Sequence, residues 1–197
     1  MKTSEKIAAL MCVGATSVMA QPHHHGDDGV VGVSGAGMLA IEIDLDEVFE
    51  FEELFSNGSL NGWISDAPGF TALDEDEPDE DFFMLGAGAD IHFQLVGTNV
   101  DAMQVYNPFF DVPAMVPGET FAFGTGDFDT HPFWFLNTDA ASFDPNDSEW
   151  SVDFRVVDQG TTGYADSEVY TIRFAIPSPA GASVLAMAGL VATRRRR

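Results

Sequence analysis

Histidine is the residue type of this chain whose chemistry is most specific, and five are present: His23, His24, His25, His92 and His131. A neutral imidazole is a common ligand for zinc and copper, so these residues suggest a metal site. Such a site would use His23, His25, His92 and His131. The alternative is a solvated histidine run with two unrelated surface or packing histidines. The spacing matches no closed zinc pattern, which favours the alternative.

Two groups combine histidine with nearby acids. The run at 23–25 is followed by Asp27 and Asp28, and this stretch could hold a metal ion loosely at the start of a mature protein. Asp129 and His131 lie two residues apart and form a candidate ligand pair. Imidazole nitrogen and carboxylate oxygen are both zinc ligands, so the expected ion at either group is zinc.

Three consecutive aromatic residues follow His131, at 133–135. Trp134 could present its face to a sugar, which would make the protein a carbohydrate-binding module. The alternative places the whole aromatic run in the core. A β-domain without disulfides needs its large aromatic side chains inside, and this favours the core.

Oxygen ligands alternate in the loop that precedes Trp150, at Asp144, Asn146 and Ser148. Hard oxygen ligands at this spacing suit calcium. The loop lacks the glycine and the distal glutamate of an EF-hand, so an ordinary turn is the favoured interpretation. The acidic run Asp74–Asp81 is predicted to be a solvated loop.

No catalytic constellation stands out from the sequence. A glycosidase needs two opposed carboxylates, but with 32 acidic residues any pair could be chosen. No G-x-S-x-G nucleophile motif and no glycine-rich phosphate loop occurs. The sequence therefore favours a protein that is not an enzyme.

The formal net charge is −24, and Arg155 and Arg173 are the only cations besides histidine between residues 21 and 175. Such a surface repels phosphate, which excludes nucleic-acid binding and adhesion to anionic lipid. The excess of acids is explained by solubility, by adaptation to salty water or by binding of divalent cations.

The elements that would position these residues are strands. Apolar and polar residues alternate with period two at 38–46, 89–96, 150–156 and 168–174, and the last two segments predict a hairpin with a long loop. Shorter strands are expected at 101–106, 119–123 and 133–137. No helical period of ten or more residues is convincing. The chain is therefore predicted to be all-β, an antiparallel β-sandwich like a jelly roll spanning 38–175, after a flexible leader at 21–37.

The N-terminus is typical of a secretory signal peptide at 1–20. Lys2 and Lys6 precede an apolar stretch, and Val18-Met19-Ala20 suits cleavage before Gln21. Cys12, the only cysteine, lies inside this peptide. The mature domain is therefore expected to have no disulfide and no thiolate site.

The C-terminus, 176–197, has three parts: a proline motif, a short apolar segment and an arginine cluster. The motif residues are Pro177, Ser178 and Pro179, and the cluster is Arg194, Arg195, Arg196 and Arg197. The apolar segment is shorter than the roughly 20 residues that cross a membrane comfortably, which favours a temporary anchor.

This tail resembles the PEP-CTERM sorting signal that exosortase systems recognise, with Ser178 in place of the glutamate. The resemblance implies a transient inner-membrane anchor, an exosortase-like processing enzyme as partner, and delivery to the cell surface or the extracellular matrix.

The leading hypothesis is an exported, non-enzymatic β-sandwich with a structural or interaction role, for which extracellular polysaccharide is a possible partner. The alternatives are an extracytoplasmic metal-binding protein, with zinc bound through histidines or calcium through carboxylates, and a carbohydrate-binding module.

Overall fold

The computed structural model describes residues 28–111 and 113–177. This part of the chain is all-β, with strands and one short 3-10 helix at Pro78–Glu80. The predicted signal peptide, His23 to His25, and the sorting signal from Ser178 onward lie outside the described residues. Within the described residues, no helix is long and apolar enough to span a membrane.

The strands are numbered in chain order. The first seven are β1 (Gly29–Ser34), β2 (Leu39–Glu42), β3 (Val48–Glu50), β4 (Glu53–Asn57), β5 (Leu60–Ser65), β6 (Phe70–Ala72) and β7 (Phe82–Phe83). The second seven are β8 (Ile91–Thr98), β9 (Met103–Tyr106), β10 (Thr120–Gly124), β11 (Asp129–Thr130), β12 (Phe133–Asn137), β13 (Trp150–Asp158) and β14 (Tyr170–Ala175).

These strands form three sheets. Sheet I has the order β11-β6-β1-β2, with β7 also paired to β1. Sheet II has the order β10-β8-β13-β14-β3, and sheet III has the order β4-β5-β12-β9. Most neighbours are antiparallel, but β1 pairs with β6 and β14 pairs with β3 in parallel. The prediction of purely antiparallel pairing is therefore wrong for these two pairs, because their long connections allow a crossover.

Alternation builds the core-facing side of sheet II. In β13, Trp150, Val152 and Phe154 are buried, whereas Ser151 and Asp153 between them are half-buried. Successive strand side chains point to opposite faces, so this pattern turns one face of β13 to the core. The predicted hairpin is confirmed, since β13 and β14 pair antiparallel from Trp150↔Phe174 to Phe154↔Tyr170.

The main core receives side chains from all three sheets. Phe70 of sheet I, Phe93 of sheet II and Trp134 of sheet III meet with ring centroids 6.0–6.5 Å apart. All three side chains are fully buried. Burial of one such ring contributes roughly 1.5–3 kcal/mol, so this junction is a principal source of cohesion between the sheets.

Sheet III also has a second, smaller cluster. Ile64, Tyr106 and Phe135 are buried there, and Phe110 packs against Tyr106 and Phe135. Trp134 and Phe135 are adjacent in β12, yet both are completely buried. Both faces of β12 are therefore covered, which explains why its sequence is a continuous apolar run rather than an alternation.

The range 21–37, predicted as a flexible leader, contains the first strand. β1 pairs with three other strands, and Val31 and Val33 are buried. Gly32 allows this packing, because a Cβ at that position would lie 2.6 Å from the Phe82 ring. The folded domain therefore begins near residue 29 rather than at 38, because the glycines of β1 allow close packing and are not those of a flexible linker.

The two arginines lie where their strands predict, on the polar faces of sheet II. Arg155 contacts Asp166 at 3.3 Å, and its Nε donates to Gln94. Arg173 lies 3.7 Å from Glu149 and donates to the carbonyl oxygen of Asp46. Such partly exposed pairs contribute about 0–1 kcal/mol each.

Candidate metal centre

Three potential ligand side chains come together at one end of sheet I: Asp28, Asp129 and His131. One ligand atom from each lies within 4.8 Å of the others. Asp28 immediately precedes β1, Asp129 opens β11, and His131 immediately follows β11. We call this group the metal centre.

The register of sheet I explains the convergence. Gly29 of β1 is paired with Phe70 of β6, which is paired on its other side with Thr130 of β11. One step beyond this row, the same registers bring Asp28, Gly69 and His131 side by side. The two outer side chains therefore meet across a glycine.

Gly69 is required by this geometry. Its N–H donates to Asp28 Oδ1 at 2.7 Å, and its carbonyl oxygen accepts from the N–H of Gly29 at 3.0 Å. A Cβ at position 69 would lie 2.3 Å from Cε1 of His131. Only glycine leaves room for the imidazole beside β6.

The ring of His131 is held at both nitrogens. Nδ1 lies 2.9 Å from the carbonyl oxygen of Asp66, and because a carbonyl only accepts, Nδ1 carries the proton. Nε2 faces the two carboxylates, 3.0 Å from Asp129 Oδ1 and 3.9 Å from Asp28 Oδ2. Metal-binding histidines are commonly oriented in this way, with the second nitrogen donating to a carbonyl.

The three side chains differ in exposure. The exposed fraction is 8% for Asp28, 25% for His131 and 66% for Asp129. The centre is therefore closed on the side of Asp28 and open to solvent on the side of Asp129. A small ion can enter from that side without any rearrangement of the sheet.

The site is electrostatically suited to a cation. Burial of His131 opposes protonation, but the Asp66 carbonyl and the carboxylates of Asp28 and Asp129 outweigh it and raise the pKa of the ring above its usual value. The two carboxylates repel each other unless a positive charge lies between them. Either an imidazolium or a bound metal ion supplies that charge.

Of the predicted ligands, the structure joins Asp129 and His131 and keeps His92 apart. His92 lies within β8 with both ring nitrogens buried and without a hydrogen-bond partner, although Nε2 is 3.3 Å from Asp90. It is not part of the metal centre. His23 and His25 lie outside the described residues.

The predicted calcium loop is an ordinary turn. Oδ1 of Asp144 accepts from the backbone N–H of Asn146 at 2.9 Å and from its side-chain amide at 2.7 Å. These bonds hold the pKa of Asp144 below its usual value. The amide of Asn146 turns its NH₂ group, not its oxygen, toward Asp144, and Ser148 is exposed beside them. These hydrogen bonds stabilise the turn, as the ordinary-turn interpretation predicts.

Trp134 is not a carbohydrate platform. Its side chain is completely buried, and Nε1 donates to the carbonyl oxygen of Pro68 at 3.1 Å. A sugar cannot reach either face of the ring, so the core interpretation is confirmed.

The predicted acidic loop is exposed throughout Asp74–Asp81. Glu77 and Glu80 of this loop lie near Glu42, and all three are exposed. Partial desolvation and the neighbouring acids raise the pKa of Glu77. This cluster has no nitrogen ligand and no buried member. We therefore assign no metal site to it.

A groove of about 670 Å³ is lined by β8, β9 and the segment 113–117. Its lining is largely apolar, with Met103 and Met115 among its members, and Asp101 is the only carboxylate among the residues that line it. The hydroxyl of Tyr106 donates to Gln104 there. Among the described residues that line the groove there is no pair of acids, and none of them belongs to the metal centre.

Comparisons of the chain with protein-family models, with curated proteins and with solved structures give no match. The function must therefore be argued from the chemistry of the site.

Proposed function

We propose that this protein binds one divalent metal ion through Asp28, Asp129 and His131. The observation that carries the proposal is the orientation of His131, whose Nδ1 is fixed by the Asp66 carbonyl while Nε2 faces two carboxylates. Ligand atoms of a tetrahedral zinc site lie about 3.3–3.6 Å apart, given bond lengths of about 2.0–2.2 Å. The separations of 3.0 and 3.9 Å from Nε2 bracket that range.

The ligand set favours zinc over calcium. One imidazole nitrogen with two carboxylates suits a borderline metal such as zinc, with water in the remaining position. Calcium takes about 6–8 oxygen ligands, and three side chains of which one is imidazole supply too few.

We further propose that the protein is exported and works by binding rather than by catalysis, at the cell surface or in the extracellular matrix. The proposal is supported by the signal-peptide pattern at 1–20 and by the PEP-CTERM-like tail at 176–197. An exosortase-like enzyme would process the tail after transient anchoring in the inner membrane. At the surface the metal centre would meet external ions.

For the architecture we propose a β-sandwich of the jelly-roll kind. The shared core to which all three sheets contribute supports this proposal. Two packed layers are the usual way for sheets of this size to bury their apolar faces.

Zinc titration of the purified full-length chain, produced without an affinity tag, tests the metal proposal. Because histidines 23–25 can bind zinc by themselves, all variants carry alanine at these three positions. We expect one equivalent to bind, and Asp129→Asn to weaken binding by at least about tenfold, the lower range seen even for outer-sphere changes.

Asp144→Asn is the matched control, because it removes an exposed carboxylate of the same kind that is not a member of the centre. Its zinc affinity should equal that of the parent. If Asp129→Asn and Asp144→Asn bind zinc equally well, the proposed site is wrong.

A further inference from the structure

We propose that the metal ion acts as a clasp that fastens the start of the domain, so that metal occupancy controls local opening where the chain enters sheet I. This inference rests on the proposed metal binding and adds a consequence for the protein's dynamics.

The strands at this end of sheet I are short. β6 has three residues and β11 has two, and β1 pairs with β6 over only three positions. Short ladders contain few hydrogen bonds, and such regions open at much lower free energy than the centre of a fold. Phe70 anchors β6 in the main core, so the part of this end that needs another contact is the segment 66–69 just before it.

The metal centre is placed to do so, because its ligands come from distant parts of the chain. Asp28 holds the backbone N–H of Gly69, and His131 holds the backbone carbonyl of Asp66. The segment 66–69 that leads into β6 is therefore held by a hydrogen bond on each side. An ion bound by both Asp28 and His131 would link these two hydrogen-bonded contacts.

Without an ion, and with the His131 ring neutral, the same groups strain the junction. The carboxylates of Asp28 and Asp129 converge in a chain whose net charge is −24, and their mutual repulsion favours separation of β11 from the start of β1. A divalent cation reverses the sign of this interaction. The ion thus affects mainly the contacts between residues 28–30, 66–71 and 129–131.

The rest of sheet I has a different anchor. Val31 and Leu39 are completely buried in the main core, and β1 pairs with β2 over four positions. Opening at the metal centre therefore leaves the apolar part of β1 in place. The expected motion is a local release of the first residues of the domain.

Hydrogen exchange followed by mass spectrometry tests the clasp. The full-length chain with alanine at positions 23–25 is compared in a chelator and in zinc at about 100 times the dissociation constant. Opening that requires release of the ion should then be suppressed about 100-fold. We expect this added protection at the amide of Gly69, which donates to Asp28, and at the amide of Gly29, which donates to the Gly69 carbonyl, with no change in the β13–β14 hairpin.

The variant Asp129→Asn should lose the zinc-dependent protection and keep the slow exchange of the hairpin, because the Asp129 side chain is largely exposed and its removal leaves the core intact. Asp28→Asn provides a second variant from the buried side of the centre. Asp144→Asn should behave as the parent.

The outcomes separate the two proposals. Zinc that binds with one equivalent but leaves exchange at Gly29 and Gly69 unchanged, or slows exchange equally everywhere, contradicts the clasp and leaves metal binding standing. Failure of zinc to bind at all contradicts the proposed function itself.

Discussion

The metal-centre end of sheet I and the β13–β14 hairpin of sheet II are stabilised in different ways. The hairpin has long strands, and its alternating residues bury Trp150, Val152 and Phe154. The metal-centre end has strands of two and three residues; Phe70 links it to the core, and Asp28 and His131 hold backbone atoms of the segment 66–69. The hairpin is stabilised mainly by burial of apolar side chains, and metal ions and pH leave that contribution unchanged. The other end depends on charge, which ions and pH alter.

The largest expected effect is in the hairpin. Phe154→Ala removes a completely buried ring that packs on Phe93 and Phe70, and should lower the free energy of unfolding by about 3–5 kcal/mol. Urea denaturation measures this loss. Phe109→Ala is the matched control, because the same ring is 83% exposed there and its loss should change stability by less than about 0.5 kcal/mol. Equal effects at both positions would contradict the assigned core.

A smaller effect on stability, with a large effect on metal binding, is expected at Gly69. Gly69→Ala forces a methyl group against the His131 ring and should cost about 1–3 kcal/mol of stability. It should also weaken zinc binding by at least about tenfold, because the ring is displaced from its place beside Asp28. The measurements are urea denaturation and zinc titration.

Gly97→Ala is its control, since Gly97 lies in β8 and a Cβ at position 97 meets no atom within 4 Å. This variant should bind zinc as the parent does. If the Gly69→Ala protein binds zinc as tightly as the parent, zinc binding does not depend on the position of the His131 ring.

The smallest effects are those of pH, and they should have opposite signs in the two regions. At the end of β13, burial alone would raise the pKa of Asp158, but bonds from the N–H groups of Asp90 and Gly160 and from the Thr162 hydroxyl outweigh it and lower the pKa. The stability that Asp158 contributes is therefore present above its unfolded pKa of about 3.9 and is lost as the pH falls through the folded value.

Denaturation of the parent and of Asp158→Asn between pH 6 and pH 2, in matched buffers, checks this dependence. The parent should lose more stability than the variant across the acid range. Parallel curves for the two proteins would contradict the role of the carboxylate.

In the metal-free protein, His131 should show the reverse. Its folded pKa is raised, so the stability from its protonated ring is complete below the unfolded value of about 6.5 and is lost as the pH rises through the folded value. Denaturation in a chelator should show this loss for the parent and not for His131→Gln. A loss of equal size in His131→Gln would place the titrating group elsewhere.

Many of the strands can be predicted from the sequence alone. The comparison of the two regions explains which strands these are. The strand at 133–137 and the hairpin follow from apolar runs and period-two alternation, which are local patterns. β1 escaped prediction because its glycines resemble a linker, whereas Gly32 packs against Phe82. The pairing of β1 with β6 depends on contacts between residues far apart in the chain.

The same limit applies to the candidate site. Asp129 and His131 are two residues apart, and their pairing was accessible from the sequence. Asp28 and the Asp66 carbonyl reach the ring from 103 and 65 positions away, through the register of sheet I. The alternation of β8 predicts that His92 lies on the opposite face to Ile91 and Phe93, but no sequence pattern shows that it lies outside the centre.

The most direct test of the metal centre is a crystal structure of the zinc-treated protein with anomalous diffraction measured on both sides of the zinc absorption edge. We expect a zinc peak about 2.0–2.2 Å from His131 Nε2 and from carboxylate oxygens of Asp28 and Asp129. No anomalous peak at these three side chains, in crystals whose zinc content shows that the ion is bound elsewhere, would contradict it.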